Sequence, residues 1–325
     1  MVVATRFDNV QALRGIAALM VCVFHLAGHS DGVHRLLPEG DAVLRFSSYG
    51  PTGVFVFFVI SGFIIPYSMH KSHYQVRDFF SFFKKRLWRL HPPYLLTLLL
   101  TIILVLFNNA TGKTNEDLSA IRILSQLVYT TKIMNLEWFN PIFWTLAIEI
   151  QYYLLLALMF SWFNGEKMWQ RMSFVLLMLV STYFLKDDKF ITFYIGPFVL
   201  GFSIFYFLIK KVNFFECVVY ASLASINIMY FVGLHWLIAA TIAVFFILYI
   251  VKTPTVLNNL GEISYSLYLT HPLFGGLFIY LLLPYNSSLW SGYAILIGAI
   301  IFSILTSQLF YRLIERRSIE WSKRI

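Results

Sequence analysis

Long apolar stretches alternate with short polar links along almost the whole chain. Ten of these stretches are long enough to cross a bilayer core, which takes roughly 20 apolar residues each. We predict them at residues 9–28, 51–69, 92–108, 141–163, 170–186, 190–209, 214–232, 235–251, 260–283 and 290–312. The pattern therefore predicts an all-α, polytopic membrane protein with about ten transmembrane helices.

Composition agrees with the pattern. The chain has 325 residues, of which 59% are hydrophobic and only 13% are charged, and its mean hydropathy is +0.72. A soluble domain of this size would not tolerate that balance. We expect a single membrane domain over residues 1–325, ending in a short basic tail at 313–325.

The distribution of Lys and Arg predicts the orientation. These residues are concentrated in the segments that would share a side with the N-terminus, among them residues 71–89 and the C-terminal tail. Because cytoplasmic loops carry an excess of positive charge, both termini are predicted to be cytoplasmic. The net charge of +9 follows from this topology, so it does not indicate a nucleic-acid partner.

Ionisable side chains inside the predicted helices are the strongest functional signal. Arg14 and His25 lie in the first stretch, Glu149 in the fourth and His271 in the ninth. An Arg or Asp at a helix centre costs about 2.5–3.5 kcal/mol, so such groups usually mark a site inside the membrane. The alternative is that each one only joins helices through a hydrogen bond.

The spacing of these ionisable residues favours a functional site over helix packing alone. Eleven residues separate Arg14 from His25, so both share a helix face, about 16 Å apart along the axis. Glu149 is predicted at a depth close to that of His25, which permits a contact between them. A carboxylate there would orient the imidazole and raise its basicity, as general-base catalysis requires.

A basic segment precedes the third stretch, at residues 82–94 (FFKKRLWRLHPPY). Arg86 and Arg89 are three residues apart, so one helical turn would direct both guanidinium groups the same way. Forked guanidinium groups suit phosphate oxygens. The alternative is a basic loop that only fixes the topology.

Weaker candidates complete the predicted site. Ser61 can line an acyl channel or belong to a close-packed Ser-Gly contact, and Trp144 with Thr145 can line an acceptor side or anchor a helix end. Tyr268 and His271 share a helix face and can complete a polar cavity. His25 and His29 have metal-ligand spacing, but no further ligand cluster accompanies them, so we expect no metal.

Five strings together resemble the integral-membrane acyltransferase family 3, the polysaccharide O-acyltransferases of bacteria. They are LRGIAALMVCVFHL, GVFVFFVISGFII, KKRLWRLHPPY, FWTLAIEIQYYLL and ISYSLYLTHPL, in this order. The resemblance runs from about residue 8 to the last helix.

The resemblance implies an O-acetyltransferase of the bacterial cytoplasmic (inner) membrane. Such an enzyme moves an acyl group, usually acetyl, from cytoplasmic acyl-CoA to a hydroxyl of a surface or exported glycan or a lipid-linked glycan. It implies His25 as the catalytic histidine, Arg14 as its partner in handling the donor or acyl group, and Arg86 and Arg89 as the basic motif. The expected partners are acyl-CoA, the glycan and membrane lipid, with no nucleic acid.

Two other classes remain open from the sequence. A transporter can also have ten helices with ionisable groups inside the membrane, although we find no internal repeat. A membrane scaffold would use the polar groups for helix packing alone.

Overall fold

A computed structural model describes residues 7–29 and 36–325, without the side chain of His29. Arg6 and Arg35, which enter the charge distribution above, lie outside the described residues. Within those ranges the protein consists of α-helices joined by short 3-10 and π turns, without β-strands. The helices are α1 (Asp8–Phe24), α2 (Ala42–Ser47), α3 (Thr52–Lys71), α4 (Phe79–Ala110), α5 (Ala120–Leu127), α6 (Trp144–Phe163), α7 (Met168–Phe184), α8 (Ile195–Leu208), α9 (Phe214–Phe231), α10 (Leu234–Tyr249), α11 (Thr255–Glu262), α12 (Ser264–Leu282), α13 (Leu289–Phe310) and α14 (Arg316–Arg324).

In the described part of the chain, eight helical stretches are long and apolar enough to cross a membrane. They are Asp8–Gly28, Ala42–Lys71, Val76–Ala110, Pro141–Phe163, Ile191–Leu208, Phe214–Phe231, Ser264–Tyr285 and Leu289–Arg324. The two other predicted spans form shorter helices, α7 with 17 residues and α10 with 16. The predicted fold class, an all-α polytopic membrane protein, is confirmed. The cytoplasmic placement of both termini stays a prediction.

The basic segment at residues 82–94 is helical rather than a loop. It forms the beginning of α4, which runs for 32 residues and contains Pro92 and Pro93. Lys, Arg and Leu favour helices, and no Gly or Pro interrupts residues 79–91. The basic tail is also helical, as α14. The short helices α2 and α5 lie in links that the apolar pattern left without structure.

The described residues form two compact units. Unit 1 contains the described part of Met1–Phe24, together with Arg45–Phe79 and Tyr152–Ser264. Unit 2 contains the described part of His25–Leu44, together with Phe80–Gln151 and Tyr265–Ile325.

Close packing of α3 against α8 forms the core of unit 1. A Cβ atom on Gly62 would lie 2.3 Å from the carbonyl oxygen of Phe198, and one on Gly201 would lie 2.3 Å from that of Val59. Only glycine therefore allows the two backbones to approach this closely. Aromatic rings fill the space around the contact, with Tyr152 stacked on Phe198 at a centroid distance of 4.3 Å.

A buried ion pair ties the start of α7 to the start of α9 in unit 1. Arg171 Nε donates to Glu216 Oε1 over 2.9 Å, and Arg171 Nη2 donates to Oε2 over 3.0 Å. Tyr220 donates a 2.5 Å hydrogen bond to the same carboxylate. Nearby, the hydrogen bond from Lys211 holds the pKa of the exposed Glu166 carboxyl below its ordinary value. These contacts hold helix ends together.

A chain of buried polar contacts joins α12 to α13 and the turn after it in unit 2. Glu315, which is buried, accepts from the Ser266 hydroxyl over 2.5 Å and from the Ser266 N–H over 3.1 Å. Thr270, one turn further along α12, lies 3.0 Å from the Ser307 hydroxyl on α13. These contacts satisfy the beginning of α12 and fix its rotation against α13.

Candidate functional site

His25 lies where the first helix changes its geometry. After Phe24 the backbone forms a π turn over His25–His29. Gly28 has φ of 93°, a left-handed conformation that glycine adopts without steric cost and that commonly ends helices. Isolated π turns within helices often occur at functional sites. The half-buried imidazole of His25 thus projects from an irregular segment of backbone.

The structure pairs His25 with His271. His271 Nε2 lies 3.0 Å from His25 Nδ1, and 246 residues separate the two in sequence. The ring centroids are 5.0 Å apart. His271 is fully buried on α12, and its Nδ1 lies 2.9 Å from the carbonyl oxygen of Leu267, one turn earlier. Both nitrogens of the His271 ring therefore have defined partners.

Tyr268 and Thr145 form a second buried contact beside this pair. Their hydroxyl oxygens are 2.8 Å apart, and each lies 3.1 Å from the carbonyl oxygen of Ile142. The Tyr268 ring centroid is 6.2 Å from that of His271. The structure thus brings Thr145, Tyr268, His271 and His25 into one continuous group.

Glu149 and Trp144 lie on the same helix as Thr145, and both are half-buried. Glu149 follows Thr145 by four residues, so the two share a face of α6. The Glu149 carboxylate also interacts electrostatically with Tyr268. This places it at the edge of the same group. The contact predicted between Glu149 and His25 stays a prediction.

Arg86 and Arg89 lie half-buried near the beginning of α4, where α14 packs against the backbone. The guanidinium of Arg86 stands 5.5 Å from the Phe82 ring centroid. Ser318 on α14 donates hydrogen bonds to the carbonyl oxygens of Trp88 and Arg89. The basic tail thereby packs against this end of α4.

The basic end of α4 and the histidine pair are linked through α12. The Tyr265 hydroxyl donates to the carbonyl oxygen of Leu90 over 2.8 Å. His271 follows Tyr265 by six residues, which is about 9 Å along a helix axis. The cationic segment and the imidazoles thus lie at different positions along the axis of α12.

Arg14 and Ser61 belong to unit 1. Arg14 is half-buried on α1, beside the contact in which Gly15 meets the backbone of Leu257 and Gly261 on α11. Ser61 precedes Gly62 on α3, and its carbonyl oxygen accepts a 3.4 Å hydrogen bond from Tyr152. This environment supports the close-packing interpretation of the Ser-Gly pair. The predicted roles of both residues in donor handling stay predictions.

Unit 1 also contains an apolar cavity of about 640 Å³ between α1, α3 and α10. Its lining includes Leu13, Met20, Val56 and Ile238, with Tyr49 and His235 as its main polar members. It contains none of the residues predicted for the site. Residues 7–29 and 36–325 also hold no group of three or more His, Cys, Asp or Glu side chains placed to bind a metal ion.

Sequence reasoning missed two features of this site. It named both His25 and His271 but did not pair them. The only signal was that both are ionisable residues within apolar helices. It also treated the basic tail as separate from Arg86 and Arg89, although Trp321 meets Trp88 edge to face at 6.1 Å. The aromatic residue within the tail was the signal for that packing.

Comparison with known proteins gives a matching family and similar proteins. A family model described as "Acyltransferase domain" matches residues 7–311. The "O-acetyltransferase OatA" of Staphylococcus aureus (strain COL) is 28% identical over 165 residues, which cover 47% of this chain and 24% of that protein. The chain thus spans about a quarter of the length of that relative. The "Putative acetyltransferase ORF330" of Acidianus two-tailed virus is 23% identical over 293 residues, or 82% of each chain. No solved structure matches.

Proposed function

The chain belongs to the acyltransferase domain family, and from that premise we propose that it is an O-acetyltransferase that uses His25. The observation that carries the proposal is the pair formed by half-buried His25 and fully buried His271, whose facing nitrogens lie 3.0 Å apart within the matched residues. Imidazole is the side chain best suited to take and return a proton near neutral pH. The transporter and scaffold alternatives lose their basis, because the family match assigns an enzyme.

In the proposed reaction the hydroxyl of the acceptor attacks the thioester carbonyl of the donor. His25 takes the hydroxyl proton as general base and then returns it to the departing thiolate. In the other route, His25 attacks the thioester first and carries the acyl group briefly as an acyl-imidazole. Glu149 is proposed to support the charge that His25 acquires, in keeping with its position on α6 beside Thr145.

The proposed donor is acetyl-CoA, with its phosphates at the basic end of α4. Arg86 and Arg89 lie there, and the backbone contacts of Ser318 bring α14 to the same surface. Guanidinium groups bind phosphate oxygens through paired hydrogen bonds. The thin pantetheine arm would then carry the thioester to the level of His271. Arg14 is proposed to handle the donor or acyl group.

The proposed acceptor is a hydroxyl of a surface or exported glycan, or of a lipid-linked glycan. Trp144, Thr145 and Tyr268 are the side chains proposed to meet it, since Tyr268 lies beside His271 on α12 and Thr145, next to Trp144 on α6, hydrogen-bonds to Tyr268. The names of the two relatives favour acetyl as the acyl group. The proposed location is a bacterial cytoplasmic membrane, with the basic end of α4 on the cytoplasmic side.

CoA release by the purified protein in lipid vesicles tests the proposal. Acetyl-CoA is supplied with a glycan extract as acceptor, and thiol release is measured for the wild type, His25→Ala and the control His235→Ala. His235 lies on α10, outside the proposed site. We expect release by the wild type and His235→Ala and none by His25→Ala.

Folding is checked in parallel by monodispersity in detergent. Release by a well-folded His25→Ala at the wild-type rate would exclude His25 as the reacting group. A folded wild type that neither binds nor consumes acetyl-CoA, propionyl-CoA or succinyl-CoA would reject the donor.

A further inference from the structure

We propose that His271 is a positioning residue that holds His25 in one tautomer, with the proton on Nδ1 and the lone pair on Nε2. The proposal deepens the proposed function and rests on it for its catalytic meaning. The tautomer itself is a structural property that can be measured without turnover.

The contact with Leu267 determines which nitrogen of His271 carries the proton. Its Nδ1 lies 2.9 Å from the carbonyl oxygen of Leu267. A carbonyl oxygen can only accept a hydrogen bond, so Nδ1 must carry the proton and donate. His271 is fully buried, and burying a charge is costly, which favours the neutral ring. A neutral imidazole has one proton, so His271 Nε2 holds a lone pair.

The proton position on His271 in turn determines the proton position on His25. His271 Nε2 lies 3.0 Å from His25 Nδ1. Because His271 Nε2 can only accept, His25 Nδ1 must donate. Neutral His25 therefore carries its proton on Nδ1 and its lone pair on Nε2.

The opposite tautomer of His25 is incompatible with the same contacts. If His25 Nδ1 held a lone pair, His271 would have to donate from Nε2. A neutral His271 would then direct the lone pair of Nδ1 at the carbonyl oxygen of Leu267. Two acceptors 2.9 Å apart repel each other, and a buried acceptor without a donor is destabilising. The carbonyl of Leu267 thus sets the tautomer of both rings.

The tautomer determines which nitrogen of His25 reacts. In the base route, Nε2 takes the proton of the acceptor hydroxyl, and the alkoxide oxygen bonds to the thioester carbon. The carbon–sulfur bond breaks, and the thiolate takes the proton back from Nε2. In the covalent route, the Nε2 lone pair forms the bond to the acyl carbon, and the thiolate leaves. The acceptor hydroxyl then bonds to that carbon, the carbon–nitrogen bond breaks, and the hydroxyl proton passes to the thiolate. In both routes the Nδ1–H of His25 keeps donating to His271, which stabilises the positive ring in between.

Nitrogen NMR tests the tautomer directly. The full chain is labelled with ¹³C,¹⁵N-histidine and reconstituted in lipid bilayers, His25 is assigned by the signals lost in His25→Gln, and its nitrogens are told apart by their correlations with Cγ (Nδ1) and Cδ2 (Nε2). We expect a protonated, pyrrole-type signal for His25 Nδ1 and an unprotonated, pyridine-type signal for Nε2. A pyridine-type Nδ1 in the wild type would overturn the proposal.

Variants at position 271 test the catalytic consequence. His271→Leu removes the acceptor, so we expect mixed tautomers of His25 and a kcat about 100-fold lower, with KM for acetyl-CoA nearly unchanged. His271→Gln keeps both an acceptor and a donor, so we expect it to restore the Nδ1–H tautomer and much of kcat. The control His235→Leu should change neither.

The outcomes separate this proposal from the proposed function. A wild type without acyltransferase activity but with the expected ¹⁵N signals would reject the function and leave the tautomer assignment standing. Full kcat in a folded His271→Leu, with activity still dependent on His25, would reject the positioning role and leave the function standing. If His271→Leu fails to fold, the wild-type spectrum and His271→Gln decide the question.

Discussion

Units 1 and 2 both bury ionisable side chains among apolar helices, but they satisfy them differently. In unit 1, Arg171 and Glu216 form a two-pronged ion pair, with both side chains only 4% exposed. Backbone carbonyls of residues 165 and 166 accept from the remaining face of the guanidinium. In unit 2, the buried hydroxyls and the imidazole of His271 on α12 hydrogen-bond to the Glu315 carboxylate, the Ser307 hydroxyl and the half-buried imidazole of His25.

The difference indicates where a proton can move. Opposite charges locked in a bidentate pair have no reason to exchange a proton, because Arg keeps its charge at any working pH. Imidazoles and hydroxyls can each act as donor or acceptor, so a hydrogen-bonded group of them can change its protonation without breaking up. The bidentate pair of unit 1 is therefore suited to a structural role, and the histidine pair of unit 2 is suited to proton transfer.

Breaking the ion pair of unit 1 is expected to give the largest loss of stability. Arg171→Met leaves the Glu216 carboxylate buried without its cation, which should lower the free energy of unfolding by about 3–5 kcal/mol. Unfolding in a titration with SDS measures the change. The exposed pair Lys132–Glu137 is the matched control, since Lys132→Met should cost less than about 1 kcal/mol.

The double variant Arg171→Met with Glu216→Leu should recover part of this loss, because it buries no unpaired charge. An Arg171→Met protein as stable as the wild type would contradict the structural role of the pair.

Disturbing the beginning of α12 is expected to have the next largest effect. Glu315→Leu removes the acceptor of the Ser266 hydroxyl and N–H, so we expect a stability loss of about 2 kcal/mol. It should also lower kcat, because α12 positions Tyr268 and His271. Glu315→Gln, which keeps an oxygen acceptor, should lose less of both. Equal stability of all three proteins would show that this contact does not secure α12.

Weakening the basic end of α4 should act on donor binding alone. Arg89→Ala removes one guanidinium from the surface that α14 shares, so we expect KM for acetyl-CoA to rise about tenfold, which corresponds to about 1.4 kcal/mol. kcat should change little, because the histidine pair is separate from the basic end of α4 where Arg89 lies. Steady-state kinetics with increasing salt measures this. A fall in kcat with unchanged KM would assign Arg89 to the chemical step instead.

The smallest effect is expected at Ser303 on α13. Its buried hydroxyl has no hydrogen-bond partner in the described part of the chain. Ser303→Ala removes an unsatisfied polar atom, so stability should stay the same or rise by about 1 kcal/mol. The same SDS titration measures it. A clear loss of stability would reveal a partner for this hydroxyl, such as a buried water.

The sequence predicted the helices well because apolar length is a strong local signal. The predicted span 141–163 coincides with the turn at Pro141 and α6, and 214–232 differs from α9 by one residue. The beginning of α4 was predicted less well. Its charges suggested a loop, but Lys and Arg tolerate a helix that leaves the apolar region, and only tertiary packing shows that α14 covers it.

The site was predicted as a set of residues but not as an arrangement. The free-energy cost of an ionisable side chain inside the membrane identifies His25, Glu149 and His271 from the sequence alone. It does not say which helices are neighbours, since lipid-facing and packed faces are both apolar here. Neither does periodicity predict the π turn at His25, which depends on Gly28 and on packing. The pairing of His25 with His271 therefore emerged only from the fold.

Transfer of labelled acetyl from acetyl-CoA to glycan is the decisive test of His25 as the reacting group. Wild type and His25→Gln are compared in vesicles of the same composition, at equal amounts of folded protein, with the label counted in the isolated glycan. We expect label with the wild type and a rate lower by about 1,000-fold or more with His25→Gln. Equal labelling by the two proteins would show that the reacting group is not His25.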